Sequence, residues 1–371
     1  MSLKSSFVSF LNKKYPDLSV SQLDQLISDQ LLSPFHVQLD SAVLQNIQSD
    51  IEKYSQMATA IHSQISNQYQ SKGLRQPANA AVCTSFDFHI NQENQPELIE
   101  INTNAAFLAL GLELYQFLNE PVGTDFSDIK LAEMFKQEIH LCQATPGTVY
   151  ILDEKPSEQR LYVEFLVYQQ ILQKQGFQAQ IIDLEDIPHI PNGSLVYNRY
   201  TDFYLSDPKS NILKQRYNNG ELHLTPHPYE YFTLADKQRQ FDWNHFEYNP
   251  KPISLLSVYD LGTSDKEEIW SMRKKLFFKP KNSYGSKQAY KGSNISRTKF
   301  EEIFNAESIA QQFSEPSEIE VVVNDQPQKM KYDLRCYIYA GKLQLVMARL
   351  YQGQTTNLRT PGGGFAIVKF K

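Results

Sequence analysis

Residues 84 to 104 read TSFDFHINQENQPELIEINTN, and how this stretch folds decides the reading of the chain. Two alternating runs, SFDFHI and ELIEINT, flank the polar, proline-ended NQENQP, the pattern of two antiparallel strands joined by a short loop. Residues two apart in a strand share a face. Asp87 and His89 therefore lie on one face of the first strand and Glu100 and Asn102 on one face of the second, while Phe86, Phe88, Ile99 and Ile101 point to the opposite, apolar side. A turn centred on Glu93 and Asn94 sets Asp87 directly across from Glu100. Like charges opposed across a ladder are destabilising, so something positive is expected between them. An Asp, a Glu and an Asn presenting oxygens suit Mg2+, a hard cation that completes its shell with water and phosphate. The plain alternative is a solvated sheet face whose carboxylates keep an edge soluble.

Two other stretches bear on phosphate chemistry. Residues 276 to 292, LFFKPKNSYGSKQAYKG, run from a short apolar strand into Lys279 and Pro280 and then a small-residue loop with Gly285 and Ser286. A lysine there reaches phosphate as a point charge, and the N–H groups of a flexible loop close over it. Gly285 permits close backbone approach. The Walker pattern G-x-x-x-x-G-K-[ST] does not occur in the sequence, and taken singly this stretch also reads as a surface loop after a strand. Residues 332 to 350, YDLRCYIYAGKLQLVMARL, read as a hairpin turning at Ala340 and Gly341. Asp333, Arg335, Tyr337 and Tyr339 take one face, and Leu334, Cys336 and Ile338 the other. Arg335, two residues after Asp333 on the same face, is expected to be held by it. The chain then passes through Arg349 into TTNLRTPGGGFAIV at 355 to 368. The bland reading of the triple glycine is a flexible run into a last strand.

Taken together, these residues resemble the ATP-grasp superfamily. The D-F at 87 and 88 followed by E-I-N-T-N at 100 to 104 is similar to the metal-binding hairpin of the D-alanyl-D-alanine ligases, the RimK-like ribosomal-protein glutamate ligases and glutathione synthetase-like enzymes. The resemblance implies Asp87, Glu100 and Asn102 as Mg2+ ligands. It implies Lys279, Gly285 and Ser286 on the ATP phosphates, and Gln311 and Gln312 of IAQQF (309 to 313) beside the adenine. The run TLADKQRQF at 233 to 241 resembles the D-K that opens the next helix in these proteins, which implies Lys237 as a further nucleotide contact and Asp236 as the helix N-cap, with a helix-surface lysine as the bland alternative. The D-L-R at 333 to 335, Arg349 and N-L-R-T resemble the segment that holds phosphate and the acyl-phosphate intermediate, giving Arg335, Arg349, Asn357 and Arg359 as catalytic candidates and Gly362, Gly363 and Gly364 as a loop. Pro361 is an extra residue relative to that pattern, which leaves open whether Arg349 or Arg359 faces the transferring phosphate. In the family the metal hairpin closes the catalytic domain, whereas here it begins near residue 84 of 371. The resemblance therefore implies a circularly permuted order, which is tolerable where the original termini lie close together at the surface.

The middle of the chain reads as βαβ: TVYILD (148 to 153), an amphipathic helix over 157 to 175, AQIIDL (179 to 184) and SLVYNRYTDF (194 to 203). Such alternation implies a small doubly wound unit with ligands at the C-terminal ends of its strands. Asn198 and Arg199 stand at such an end and are candidate substrate contacts; a loop salt bridge is the alternative. The first 75 residues carry helical periodicity with Ser and Asp caps, and the Met57, Ile61 and Ile65 stripe reads as core. The expected fold class is α/β, with grasp sheets and a small pre-ATP-grasp domain. Its expected parts are a helical segment (1–75), the metal-binding part (76–145), a Rossmann-like domain (146–245) and a nucleotide-binding part (246–371).

Composition fits a cytoplasmic enzyme. A net charge of -6 argues against a non-specific nucleic-acid binder. The three cysteines are widely spaced and form neither a disulfide framework nor a zinc pattern. No apolar run is long enough to cross a membrane, and no leader pattern opens the chain. The resemblance implies an ATP- and Mg2+-dependent carboxylate-amine or carboxylate-thiol ligase acting on small-molecule or peptide substrates. Related ligases are often dimers, so a homodimer is one expected state. A catalytically silent nucleotide-binding module engaging a protein partner, and an ATP-dependent phosphotransferase, are the other classes.

Overall fold

The computed structural model describes residues 2–281 and 289–371; Gly285 and Ser286 lie outside the described residues. Along the described chain run β1 (Val37–Leu39), β2 (Thr84–Ile90), β3 (Pro96–Asn102), β4 (Thr148–Leu152), β5 (Gln178–Ile182), β6 (Ser194–Asn198), β7 (Leu222–Thr225), β8 (Val258–Asp260), β9 (Leu276–Pro280), β10 (Tyr290–Lys291), β11 (Ser308–Gln312), β12 (Ser317–Val323), β13 (Gln326–Tyr339), β14 (Lys342–Tyr351) and β15 (Gly364–Phe370). They form three sheets. The largest has the order β1-β15-β14-β13-β2-β3, with β12 also paired to β13. A second has the order β10-β9-β11-β8, and a third, β5-β4-β6-β7, is wholly parallel.

The large sheet has two buried faces because its strands alternate. Tyr337, Leu345, Met347, Phe365 and Ile367 pack on one side against the helices Leu3–Lys14 and Leu108–Leu118. Leu334, Cys336, Ile338, Val346 and Ala348 pack on the other against the helix Ser41–Ala60. That helix begins with the Asp40 carboxylate accepting from the Ala42 N–H, an N-cap. Met57, Ile61 and Ile65 are buried in the same core, and removing each from water stabilises the fold by about 1.5–3 kcal/mol. The helical lead-in also contains a strand that its periodicity did not announce. β1 joins β15 in parallel, Val37 beside Val368.

The triple glycine has a different role from the one expected of it. Gly362, Gly363 and Gly364 do not line the cavity described below, although the next residue, Phe365, does. A Cβ on Gly363 would stand 2.6 Å from the Leu350 carbonyl oxygen, and one on Gly364, whose φ is +114°, 2.6 Å from that of Gln30. The run therefore lets β15 pass between β14 and the segment at 30–31, where a side chain would separate the backbones. No helix of the described residues is long and apolar enough to cross a membrane.

Candidate active site

The face of the large sheet that carries Asp87 opens at one end into a cavity of about 360 Å3, within the range of small-ligand pockets. Its floor is ionic. Asp87 lies opposite both Glu100 on β3 and Arg335 on β13, and Asp333 lies opposite Arg349 on β14. Arg335 donates from Nε (3.0 Å) and Nη2 (2.7 Å) to the two Asp87 oxygens. Arg349 donates from Nη2 to Asp87 (2.8 Å) and from Nε to Asp333 (2.6 Å). The second Asp333 oxygen accepts from the Thr356 hydroxyl at 2.5 Å. Both carboxylates are 1 % exposed. Burial alone would push the Asp87 carboxyl up, but the two guanidinium groups outweigh it and hold it below the usual carboxylate range.

The positive partner expected beside Asp87 is thus a pair of arginines. Asn102 also donates to Asp87, from Nδ2 at 3.2 Å. Asp87, expected as a metal ligand, thus has both oxygens engaged by Arg335, Arg349 and Asn102 in this structure. One correction follows: Arg335 is held by Asp87 across the sheet, and Asp333 holds Arg349. Among the described residues neither arginine Nη1 has a hydrogen bond within the protein, and neither is sealed from solvent. Both side chains line the cavity.

The other end of the cavity draws on three elements. In β9, Leu276 and Phe278 enter the core of the small sheet while Phe277 and Lys279 face the cavity, the two-residue period of a strand. The Lys279 ammonium donates to the Ile99 carbonyl (2.6 Å) and to Gln311 Oε1 (2.7 Å). The Gln311 amide in turn donates to the Leu98 carbonyl and to Gln240 Oε1, both at 3.0 Å. Gln311 is therefore committed to positioning the lysine, whereas Gln312 lies at the cavity wall with Phe313. Lys237 Nζ stands 3.8 Å from Glu100 Oε1. Asp236, expected as the helix N-cap, accepts from the Gln238 N–H at 3.0 Å, while Lys237 takes the N-cap position of the helix Gln238–His245. Burial pushes the Lys279 amine down to about 8, against the pull of Glu100.

A bulge explains Ile99. The β2–β3 register shifts between Asp87 and Phe88, which pairs with Leu98, leaving Ile99 as the extra residue on β3. Leu98 and Ile101 are buried in its place, and Ile99 turns to the cavity instead of the apolar side.

Of the other expected residues, Asn357 lines the cavity but is a loop brace. Its Oδ1 accepts from the N–H of Arg359 and the hydroxyl of Thr360, and its Nδ2 donates to the Gln352 carbonyl. Arg359 is exposed and away from the cavity, so of the two arginines left open it is Arg349 that faces inward. Asn198 and Arg199 are buried beside the cavity without lining it. Arg199 Nη1 donates to the carbonyls of Asn104 and Ala105 and lies beneath the turn that leaves β3. Residues that the sequence did not single out include Phe277, Phe313, Arg160, Tyr351 and Thr356, all in the wall. The Phe277–Phe278 alternation was the available signal for the first; Tyr351 closes β14, and Arg160, Phe313 and Thr356 come from connecting segments with no periodicity.

For a divalent cation the residues that remain are the Glu100 carboxylate and Asn102 Oδ1, both reaching the cavity. Among the described residues no three His, Cys, Asp or Glu side chains gather as a metal cluster. A carboxylate and an amide oxygen fit Mg2+, which takes one or two protein oxygens and leaves its other positions to water and phosphate.

The sequence matches no family model, and no curated protein is significantly similar to it. Solved structures are similar. A glutathione synthetase-like effector from Globodera pallida superposes with a TM-score of 0.58 at 12 % identity, over 92 % of this chain and 90 % of that one. A putative gamma-glutamylcysteine synthetase from Methylobacillus flagellatus reaches 0.47 at 12 % identity, with 87 % of each chain covered. The ATP-grasp ligase PsnB, solved with a minimal precursor, reaches 0.30 at 10 % identity over 60 % of this chain and 89 % of that one. At such identities the likeness is one of fold, and it is the first of these structures that carries it: this chain has an α/β fold similar to that of a glutathione synthetase-like protein.

Proposed function

We propose that this protein is an ATP-dependent ligase that joins a carboxylate to an amine or a thiol through an acyl phosphate. The observation that carries the reading is the polarity of one cavity. It has a lysine and a carboxylate-amide pair at one end and two braced arginines at the other.

Lys279 and Lys237 are the cations at the first end, positioned to neutralise a polyphosphate, with Phe277 and Phe313 as apolar walls for a base. Glu100 and Asn102 would hold Mg2+, which, when bound, offsets phosphate charge and aligns the transferring group. Arg335 and Arg349 are fixed by carboxylates behind them, so their free Nη1 donors await the acyl phosphate without reorganising. A substrate carboxylate oxygen would attack the γ-phosphorus and release ADP. An amine or thiol would then attack the acyl carbon, losing a proton as the bond to phosphate breaks. Catalysis of this kind is positioning and electrostatics and needs no side-chain nucleophile. The chain order supports a permuted arrangement, since the hairpin β2–β3 joins the sheet beside β13 although it comes some two hundred residues earlier.

The test is ADP formation from Mg-ATP by the purified protein against pools of amino acids, small peptides and polyamines, with Glu100→Gln as the control. Pool-dependent ADP that disappears in the folded variant is the expected result. A fully active Glu100→Gln protein would sink the assignment, and a phosphorylated product without an amide or thioester bond would replace the ligase by a phosphotransferase.

A further inference from the structure

One polar side chain in this cavity has no part in the scheme above. His89 stands on β2 two residues beyond Asp87, is 7 % exposed, and lines the cavity with Ile99, Phe277, Lys279 and Phe313. Its Nδ1 lies 3.1 Å from the Ser314 carbonyl oxygen and 3.0 Å from the Ser314 hydroxyl. A carbonyl can only accept, so the ring proton sits on Nδ1 and the hydroxyl shares it. Burial disfavours the doubly protonated ring. The remaining nitrogen, Nε2, is then a bare acceptor. It has no hydrogen bond within the protein among the described residues, and it is not one of the sealed-off polar atoms of the interior. It opens on the cavity.

A lone pair at this place repels phosphate oxygens, which belong with Lys279 and Lys237, and attracts a donor. On a nucleotide the donors are the ribose hydroxyls and the exocyclic amine of the base. We propose that His89 Nε2 accepts a hydrogen bond from one of these donors and so sets which nucleotides this cavity takes. The proposal rests on the reading of this end as the nucleotide end.

Calorimetric titration of the full chain with Mg-ATP tests it, using His89→Phe, which keeps a flat ring without the acceptor, and His89→Gln, which restores an acceptor oxygen. His89→Phe is expected to weaken ATP about 5- to 20-fold, the size of one lost hydrogen bond, and His89→Gln to stay within about threefold. Titrations with 2′-deoxyATP, 3′-deoxyATP and purine riboside triphosphate identify the donor. The analogue that lacks it binds wild type about 5- to 20-fold more weakly than ATP does and does not distinguish wild type from His89→Phe. Unchanged ATP affinity in His89→Phe overturns the proposal, as does equal weakening in both variants, because shape would then be the cause. Should His89→Phe fail to fold, the analogues decide on wild type alone, and equal affinity for all of them overturns the proposal. Wild type that binds no nucleotide fails the ligase reading itself, whereas nucleotide binding indifferent to His89 fails only this proposal.

Discussion

The two ends of the cavity are built in opposite ways. At the arginine end Asp87, Asp333, Arg335 and Arg349 belong to three neighbouring strands of one sheet, and the Asp87–Arg335 and Asp333–Arg349 partners stand opposite one another in its register. At the lysine end Lys279 comes from β9, Glu100 from β3 and Lys237 from the approach to a helix, and the Lys237–Glu100 approach is 3.8 Å. The first end is wired before any ligand arrives and depends only on strand pairing. The second depends on how the four-stranded sheet sits against the large one, and a bound polyanion would complete its charge balance. Rigidity and assembly are thus divided between the ends of a single cavity.

The sharpest way to break this comparison is Asp87→Asn. It leaves two buried guanidinium groups short of a counter-charge and is expected to cost about 3–5 kcal/mol in urea unfolding. A loss below about 1 kcal/mol would mean that the arginine end is not braced as described. Lys279→Met should act differently, lowering turnover in the proposed reaction by about 10²-fold or more while changing stability by only about 1 kcal/mol. A variant as unstable as Asp87→Asn would erase the contrast.

The depressed Lys279 amine makes a pH test with a definite sign. Between about 8 and its ordinary value of 10.5 the unfolded chain binds this proton and the folded chain does not. Lys279 therefore contributes unfolding free energy that increases with pH across that window, and its burial burden is greatest below it. Nucleotide affinity should move oppositely, falling as pH rises through about 8, and Lys279→Met should lose both trends. If the affinity profile is the same in the variant, another group is responsible. The smallest effect expected is that of Thr356→Val, which removes one donor from Asp333 but leaves Arg349 in place. Its cost should be about 0.5–1.5 kcal/mol, read in the same urea titrations.

What the sequence made legible follows from what strand periodicity can carry. The hairpin at 84–102, the opposition of Asp87 and Glu100 and the turn at Ala340 and Gly341, both at positive φ, were all accessible from alternation and turn residues. The partners across strands far apart in the chain were not. Alternation placed Arg335 and Asp333 on one face, but which carboxylate grips which guanidinium depends on β2 lying beside β13, a pairing that no local pattern encodes. Ile99 was misplaced because a one-residue bulge reverses the facing of what precedes it. The glycine run was misread because small residues next to arginines look the same whether they face a phosphate or a neighbouring backbone. Gln311 was placed on the right strand, but its amide is taken up by Lys279, Leu98 and Gln240.

The seating of β15 has a consequence for how the molecule comes into being. This strand lies inside the large sheet, between β14 and β1, so it joins segments from opposite ends of the numbering. Pairings of such long range are slow to form. During synthesis β14 leaves the ribosome before residues 364–370, and until they arrive one of its edges has no neighbour while Val346, Ala348 and Leu350 wait to be buried. That interval is when the nascent chain is most open to wrong partners, and it ends in a passage at Gly363 and Gly364 that leaves no room for a side chain.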